Sequence, residues 1–481
     1  MNRLNMREAM QASLAELLER QRRAHRAAPL PSHAQRLDRL QRLAEMTERH
    51  AQDLVDAIGQ DFGHRSAHET RLADLLVVGS AIRHASRHLR GWMKTRRMPT
   101  ALHYLPGRNR LMRQPLGVVG VIAPWNYPYQ LAIGPAVGAI AAGNRVMIKP
   151  SEHTPHFAAL LERIVCDHFD RDELAVVNGD VEVSQAFASL PFDHLVFTGS
   201  TATGRLVAMA AARNLTPVTL ELGGKSPALI DPSADIAAAA SSLVFGKLLN
   251  AGQTCVAPDY VLVPKARRDE LVTEMTLAAR RMYGERADNP DYTGIISKPH
   301  FLRLQALVDE AVSQGARALH PTFAASLADM PGGARKFPPT LMLDTQPGMR
   351  VMQEEIFGPV LPIVTYDGDI DEAIAFVNDR DRPLALYWYG RDNARRDRVL
   401  AHTVSGGVTV NDCIWHLTQE SQPFGGVGPS GMGAYHGEWG FRTFSKEKPV
   451  FQQARLNGIG LLHPPYGPRF DLMLRLLKAI A

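Results

Sequence analysis

The chain has only three cysteines, Cys166, Cys255 and Cys413, among 481 residues. So few cannot build the disulfide framework of a small secreted domain, and their scarcity fits a reducing compartment. Close Cys/His pairs at zinc-like spacing are also missing, so no metal is expected. Long apolar runs are absent: the longest, "LAIGPAVGAIAAG" (131–143), is too short and too rich in glycine to span a bilayer. The opening residues, "MNRLNMREAMQASLAELLERQ", have no apolar core of a secretory signal, and Glu8, Glu16 and Glu19 are out of place in an acid-poor transit peptide. The cytoplasm is therefore the expected location, with no membrane partner. Aromatic residues make up only 7% and do not interleave with a basic stripe, so the net charge of +5 reads as a solvated basic face and not a nucleic-acid site. Such a face would still help attract an anionic ligand such as a dinucleotide.

What is present is a chain too long for one simple core, which implies two or three domains. Residues 8–60 carry apolar positions three and four apart, predicting helices punctuated by "AAPLPSHA" (27–34), with further helix to about Trp92. "MPTALHYLPGRNRLMRQP" (98–115) predicts a hairpin turning at "PGRN". From Gly117 strands alternate with helices, beginning "GVVGVIAP", "RVMIKP", "ELAVVNG", "HLVFTGS" and "PALIDP". They continue with "DYVLVP", "PTLMLD", "VLPIVTY" and "GVTVND". This pattern predicts an α/β fold of two doubly wound parallel-sheet domains, the second starting near residue 222. The tail is broken by prolines and then amphipathic, and is expected to pack on a neighbouring surface.

Several short stretches could carry chemistry. "FTGSTATG" (197–204) should join a strand to a helix whose free N–H groups and dipole favour phosphate. Gly199 and Gly204 match the outer glycines of a dinucleotide fingerprint, but Thr201 holds the middle position and would keep a pyrophosphate further from the backbone. A tight structural turn explains the glycines equally well. "IKPSE" puts Lys149 and Glu152 at the carboxyl edge of a parallel sheet, able to bond ribose hydroxyls, or simply to face solvent. "PWNYP" (124–128) fixes Trp125, Asn126 and Tyr127 between prolines, so the Asn126 amide could donate to an oxyanion or only to its own turn. "LELGGKSP" sets Glu221 among apolar residues, where a raised pKa would suit a general base. Cys255, in the polar "AGQTC", is an odd core cysteine and a plausible nucleophile once its thiol is activated. Cys166, on an apolar helical stripe in "RIVCDHF", is expected in the core, while Cys413 is ambiguous.

The order and spacing of "PWNYP", "KPSE", "FTGSTATG", "ELGGKSP", "GQTC", "EEIFGP" and "PFGGVGPSGMG" resemble the NAD(P)-dependent aldehyde dehydrogenase superfamily over residues 40–450. Within it the chain is most similar to the class 3 branch and to its bacterial members that oxidise coniferyl aldehyde. The resemblance implies oxidation of a hydrophobic, aromatic aldehyde to its acid. Cys255 would be the nucleophile, Asn126 and the Cys255 N–H the oxyanion donors, and Glu221 the base that hydrolyses the thioester. It further assigns Trp125, Lys149, Glu152, Gly199, Ser200, Gly204, Glu355 and Phe357 to the cofactor, expected to be NAD with NADP possible. Tyr127, Trp415 and Phe424 would line the substrate entrance. The implied domains are a cofactor-binding unit (1–97 and 116–221), a catalytic unit (222–430), a bridging element (98–115 and 431–452) and a tail (453–481). A homodimer would form through the bridging element. A medium- or long-chain aldehyde, a thioesterase without redox chemistry and a silent binding protein remain as alternatives.

Overall fold

A computed structural model describes residues 3–323 and 335–480. Its strands are, in chain order, β1 (Arg96–Met98), β2 (Arg108–Pro115), β3 (Val118–Ile122), β4 (Arg145–Lys149), β5 (Leu174–Val176) and β6 (His194–Thr198). There follow β7 (Val218–Glu221), β8 (Pro227–Ile230), β9 (Tyr260–Pro264), β10 (Arg317–Leu319) and β11 (Thr340–Leu343). The last are β12 (Val360–Tyr366), β13 (Ala385–Tyr389), β14 (Gly407–Val410), β15 (Gly431–Met432) and β16 (Ser445–Gln452).

They form three sheets. The first runs β15-β7-β6-β3-β4-β5, parallel except for β15; the second runs β10-β11-β12-β9-β8-β13-β14, parallel except for β10. Strands β3, β4, β6 and β8 are buried along their whole length, which explains their continuous apolar sequence. In the first sheet the chain leaves β3 towards β4 on one side and β6 towards β7 on the other. The crevice beyond the carboxyl ends of β3 and β6 is thus a topological switch point, where ligands of such sheets bind. The buried helix Pro128–Ala142 opens with a proline at its first turn and closes on Gly143 at φ +96°, a left-handed cap suited to glycine.

The third sheet, β1-β2-β16, is antiparallel, and β16 pairs with β2 over eight residues. Here the structure adjusts the sequence reading. The hairpin is real, but its first strand is β1, residues 99–107 form the connection, and "PGRN" leads into β2 without making the turn. Of residues 431–452, only β16 enters this sheet; β15 pairs with β7 instead. "ALYWY", which is not among the strands expected from the sequence, is β13, fully buried next to β8.

Cys166 is another correction. The helix Pro155–His168 buries Phe157, Ala158, Leu161, Ile164 and Val165, and Cys166 is one position past that stripe and exposed. One residue turns the side chain about 100° around a helix, enough to leave the core. The tail helix Pro468–Ile480 lies against the 102–105 segment, with Leu472 and Leu476 exposed. Among the described residues no helix is long and apolar enough to cross a membrane.

Candidate active site

The site is built where two sheets meet edge to edge. From the first sheet come residues at or just beyond the carboxyl ends of β3 (Trp125, Asn126), β4 (Lys149, its last residue), β6 (Gly199) and β7 (Glu221, its last residue). From the second come residues just before the adjacent strands β9 (Cys255) and β12 (Glu355, Phe357). Residues 222–226 link β7 to β8 and so tie the two edges together.

The nucleophile loop has an unusual backbone. Asn250 (φ 53°), Ala251 (φ 51°) and Gly252 (φ 73°) are three successive left-handed residues. Gly252 is required twice over, since a Cβ there would also lie 2.3 Å from the Gly358 carbonyl oxygen. Polar side chains hold the loop in place. Asn250 Nδ2 donates to the carbonyls of Asn126 (3.0 Å) and Gln253 (3.2 Å), and Gln253 Nε2 donates to Gly294 O (3.0 Å). Asn126 Nδ2 donates to Gln253 O at 3.1 Å, so the amide is fixed beside the cysteine loop with a second N–H to offer.

Beneath the loop lies a buried ionic layer. Arg65 donates to Asn126 O (2.7 Å) and pairs with Asp74 (3.0 Å), both side chains being fully buried. Asp74 also accepts the N–H groups of Tyr129 (3.1 Å) and Gln130 (3.0 Å). Glu69 accepts from Asn250 N at 3.1 Å and from the Thr293 hydroxyl.

Electrostatics around the sulfur are those of a dry pocket. Burial pushes the Cys255 thiol up to about 12, with the charges of Glu355 and Glu221 adding to the effect. The N–H groups of Cys255 and Val256 oppose it by bonding the sulfur. Burial also raises Glu221 well above the ordinary carboxylate range, and neither of its oxygens has a hydrogen-bond partner among the described residues. Glu355 is pushed up to about 8 by burial, then by Asp259, against the Gly224 N–H and the charge of Lys225. Its carboxylate leaves no room for a side chain at Gly223, where a Cβ would be 2.0 Å from Oε2.

The residues expected at the cofactor suit a dinucleotide. Ser200 caps the helix Thr201–Ala212, accepting from Thr203 N, so its first N–H groups face the switch point. Gly199 N donates to Glu221 O (3.0 Å), setting the phosphate turn beside the candidate base. Thr201 Oγ1 donates to Pro429 O at 2.9 Å, and Gly204 packs on Leu222. Lys149 Nζ is buried, bonds Pro150 O and stands 3.9 Å from the exposed Glu152. Trp125 meets Phe357 edge-on at 5.4 Å. The buried Glu355 Oε1 has no partner among the described residues, as a ribose-binding carboxylate would require.

A cavity of about 330 Å³ reaches Cys255 and is walled by Tyr127, Trp415 and Phe424 together with aliphatic residues such as Leu72 and Leu131. All three predicted substrate residues thus meet there. The Tyr127 hydroxyl is 2.6 Å from Thr254 Oγ1, while Trp415 is partly exposed and stacks on Phe245.

Sequence reading missed Arg65, Glu69, Asp74 and Asn250, none of which stands in a motif of its own chemistry, and took Gln253 only as part of the polar "AGQTC". It also missed the Lys225–Asp259 pair. Lys225 donates to Asp259 and to the carbonyls of Val351 (2.8 Å) and Glu354 (3.0 Å), and Asp259 accepts from Ile356 N (3.1 Å). That pair fastens the segment bearing Glu355 and Phe357 to the second sheet. Lys225 could have been noticed, because it follows the Gly-Gly turn directly. Among the described residues no cluster of His, Cys, Asp or Glu could hold a metal.

The sequence profile of the aldehyde dehydrogenase family matches residues 3–450. The chain is 50% identical over 454 residues to the probable coniferyl aldehyde dehydrogenase of Pseudomonas aeruginosa, covering 94% of each. It is 47% identical over 427 residues to the coniferyl aldehyde dehydrogenase of another Pseudomonas strain, covering 88% of each. The structure of Staphylococcus aureus AldH in its substrate-bound state superposes with a TM-score of 0.89 at 36% identity, covering 99% of this chain and 100% of that one.

Proposed function

The chain belongs to the aldehyde dehydrogenase family, and from that premise we propose that it oxidises an aromatic, coniferyl-type aldehyde to the carboxylic acid with NAD. The observation that carries this reading is the apolar cavity ending at Cys255, with Glu221 buried and unpaired near the sulfur. The names of the two Pseudomonas relatives support the choice of aldehyde.

The Cys255 thiol is neutral at rest, so its proton must pass to water as the sulfur attacks the aldehyde carbon. The S–C bond forms and the carbonyl oxygen becomes an oxyanion, stabilised by the Asn126 amide and the Cys255 N–H; one such donor is worth on the order of 10² to 10³ in rate. A bound nicotinamide dinucleotide supplies the acceptor for the hydride, whose loss leaves a thioester on Cys255. Glu221 then takes a proton from water, which adds to the thioester carbonyl. The C–S bond breaks, releasing the acid, and the proton held by Glu221 passes to the departing sulfur to restore the thiol. An unpaired buried carboxylate is a stronger base than an exposed one, which suits Glu221 to that step.

Lys149, Glu152, Gly199, Ser200 and Gly204 would hold the adenosine and phosphate end, and Trp125, Glu355 and Phe357 the nicotinamide end. Glu152 favours NAD, because its carboxylate would repel a 2′-phosphate. The open edge of β16 supports a homodimer, an unpaired strand edge being a template for pairing with a second copy. Residues 1–97 with 116–221, and 222–430, are proposed as the cofactor-binding and catalytic units, the cytoplasm as the location.

The test is NADH formation from coniferaldehyde, with Cys255→Ala in parallel. Activity in the native protein that the variant lacks supports the reading. NADH from decanal but not coniferaldehyde would keep the chemistry and replace the substrate. No NADH from any aldehyde would reject the reading.

A further inference from the structure

The cavity that reaches Cys255 is mostly aliphatic and aromatic, yet besides the hydroxyls of Ser80, Thr254 and Thr418 its wall carries two larger polar side chains, Gln130 and Glu420. The same two residues also wall a smaller cavity of about 20 Å³ on the side of Tyr435 and His436. Both side chains therefore face the same two spaces. Gln130 lies three residues beyond Tyr127, the cap of the buried helix Pro128–Ala142, or about 4.5 Å of helix rise further from the nucleophile loop. Glu420 is anchored from the opposite direction, through a hydrogen bond from Gly437 N to one carboxylate oxygen at 3.1 Å.

Apart from that anchor, neither group is spent on the fold. Among the described residues the Gln130 side-chain amide and the second Glu420 oxygen take no hydrogen bond. Polar groups in an apolar setting are costly unless something pairs with them. Residues serving the chemistry already proposed do not include this pair. Burial pushes Glu420 up to about 7, against the Gly437 N–H, as expected of a carboxyl group whose own donors are too few.

An amide N–H and a carboxylate oxygen on the wall of one cavity suit one small group in particular. A hydroxyl can donate to the carboxylate and accept from the amide at once, whereas a methylene or bare aromatic C–H can do neither. We propose that Gln130 and Glu420 bind a hydroxyl on the distal part of the substrate, so that the site selects hydroxylated aromatic aldehydes over unsubstituted aromatic or alkyl ones. The assignment rests on the aldehyde-oxidising reading above. It specifies which aldehydes the cavity prefers.

The experiment compares kcat/KM for coniferaldehyde, its O-methylated analogue and cinnamaldehyde in the native enzyme, Glu420→Gln and Gln130→Leu. Gln at 420 keeps an acceptor for Gly437 N, and Leu at 130 leaves that contact untouched, so the two changes strain the fold differently. The preference for coniferaldehyde over the two analogues should fall about ten- to a hundredfold in Glu420→Gln, for losing a hydrogen bond to a charged partner, and about two- to tenfold in Gln130→Leu, for losing one to a neutral amide. A ratio unchanged in both overturns the assignment and leaves the dehydrogenase reading standing. A native enzyme that oxidises no aldehyde overturns the dehydrogenase reading, and this inference falls with it.

Discussion

Glu221 shows how stability and chemistry pull against each other in one side chain. Burial raises it well above its ordinary value of 4.5, because the charged form loses water and gains no partner. As pH rises past that ordinary value, the unfolded chain ionises Glu221 while the folded one keeps its proton, so stability is lost until the raised folded value is reached. Glu221→Gln should therefore be more thermostable than the native protein at pH 7, with the gap closing below about pH 4. A thermal melt series against pH checks this; a destabilised variant at pH 7 would contradict it. The same substitution should lower steady-state turnover by about a hundredfold or more. Native turnover should decline in acid above the usual carboxylate range, since the base works only when deprotonated. Cys166 offers a contrast: it is exposed, so a small alkylating reagent should label it without loss of NADH formation, whereas labelling of Cys255 should abolish it.

Among elements, the loop Asn250–Gly252 and the buried layer beneath it decide whether the nucleophile is positioned at all. Left-handed backbone at non-glycine residues costs of order 1–3 kcal/mol each and persists only where surroundings enforce it. Asn250 is well suited, because its side chain bonds two carbonyls of the same site. Arg65→Met would leave Asp74 buried without its counter-charge, and should cost about 3–5 kcal/mol of stability, measured by denaturant unfolding. A change below about 1 kcal/mol would show that the layer is not needed to hold Asn126. This layer was invisible in the sequence for a physical reason. Arg65, Asp74 and Glu69 act on Asn126, Tyr129 and Asn250, partners far along the chain, and no local pattern records such a pairing. Motifs such as "PWNYP" and "GQTC" were legible because the turn, the fixed backbone and the reactive group lie within a few consecutive residues. Cys166 was misread for the converse reason, as an apolar stripe near a helix end does not reveal which side of its edge a residue falls on.

At the scale of the molecule, the alternation of strands and helices announced two parallel sheets. It did not say that the carboxyl edge of one faces the amino edge of the other, which is what brings Glu221 and Cys255 together. Strand β13 was overlooked although Pro383 and Gly390 bracket it, because its apolar and aromatic run, "ALYWY", shows no apolar–polar alternation; it lies buried inside the second sheet. The β1-β2-β16 sheet leaves β16 unpaired along one edge. A dimer through that edge should elute at twice the chain mass on size exclusion with light scattering, and a monomer at all concentrations would exclude it. The central claim is that the two sheet edges assemble a covalent oxidation site at Cys255. Its most direct test is peptide mass spectrometry of Glu221→Gln after mixing with NAD and coniferaldehyde. The account predicts an acyl adduct on the Cys255 peptide, trapped because hydrolysis is slow. An unmodified Cys255, or an adduct confined to Cys166 or Cys413, would contradict it.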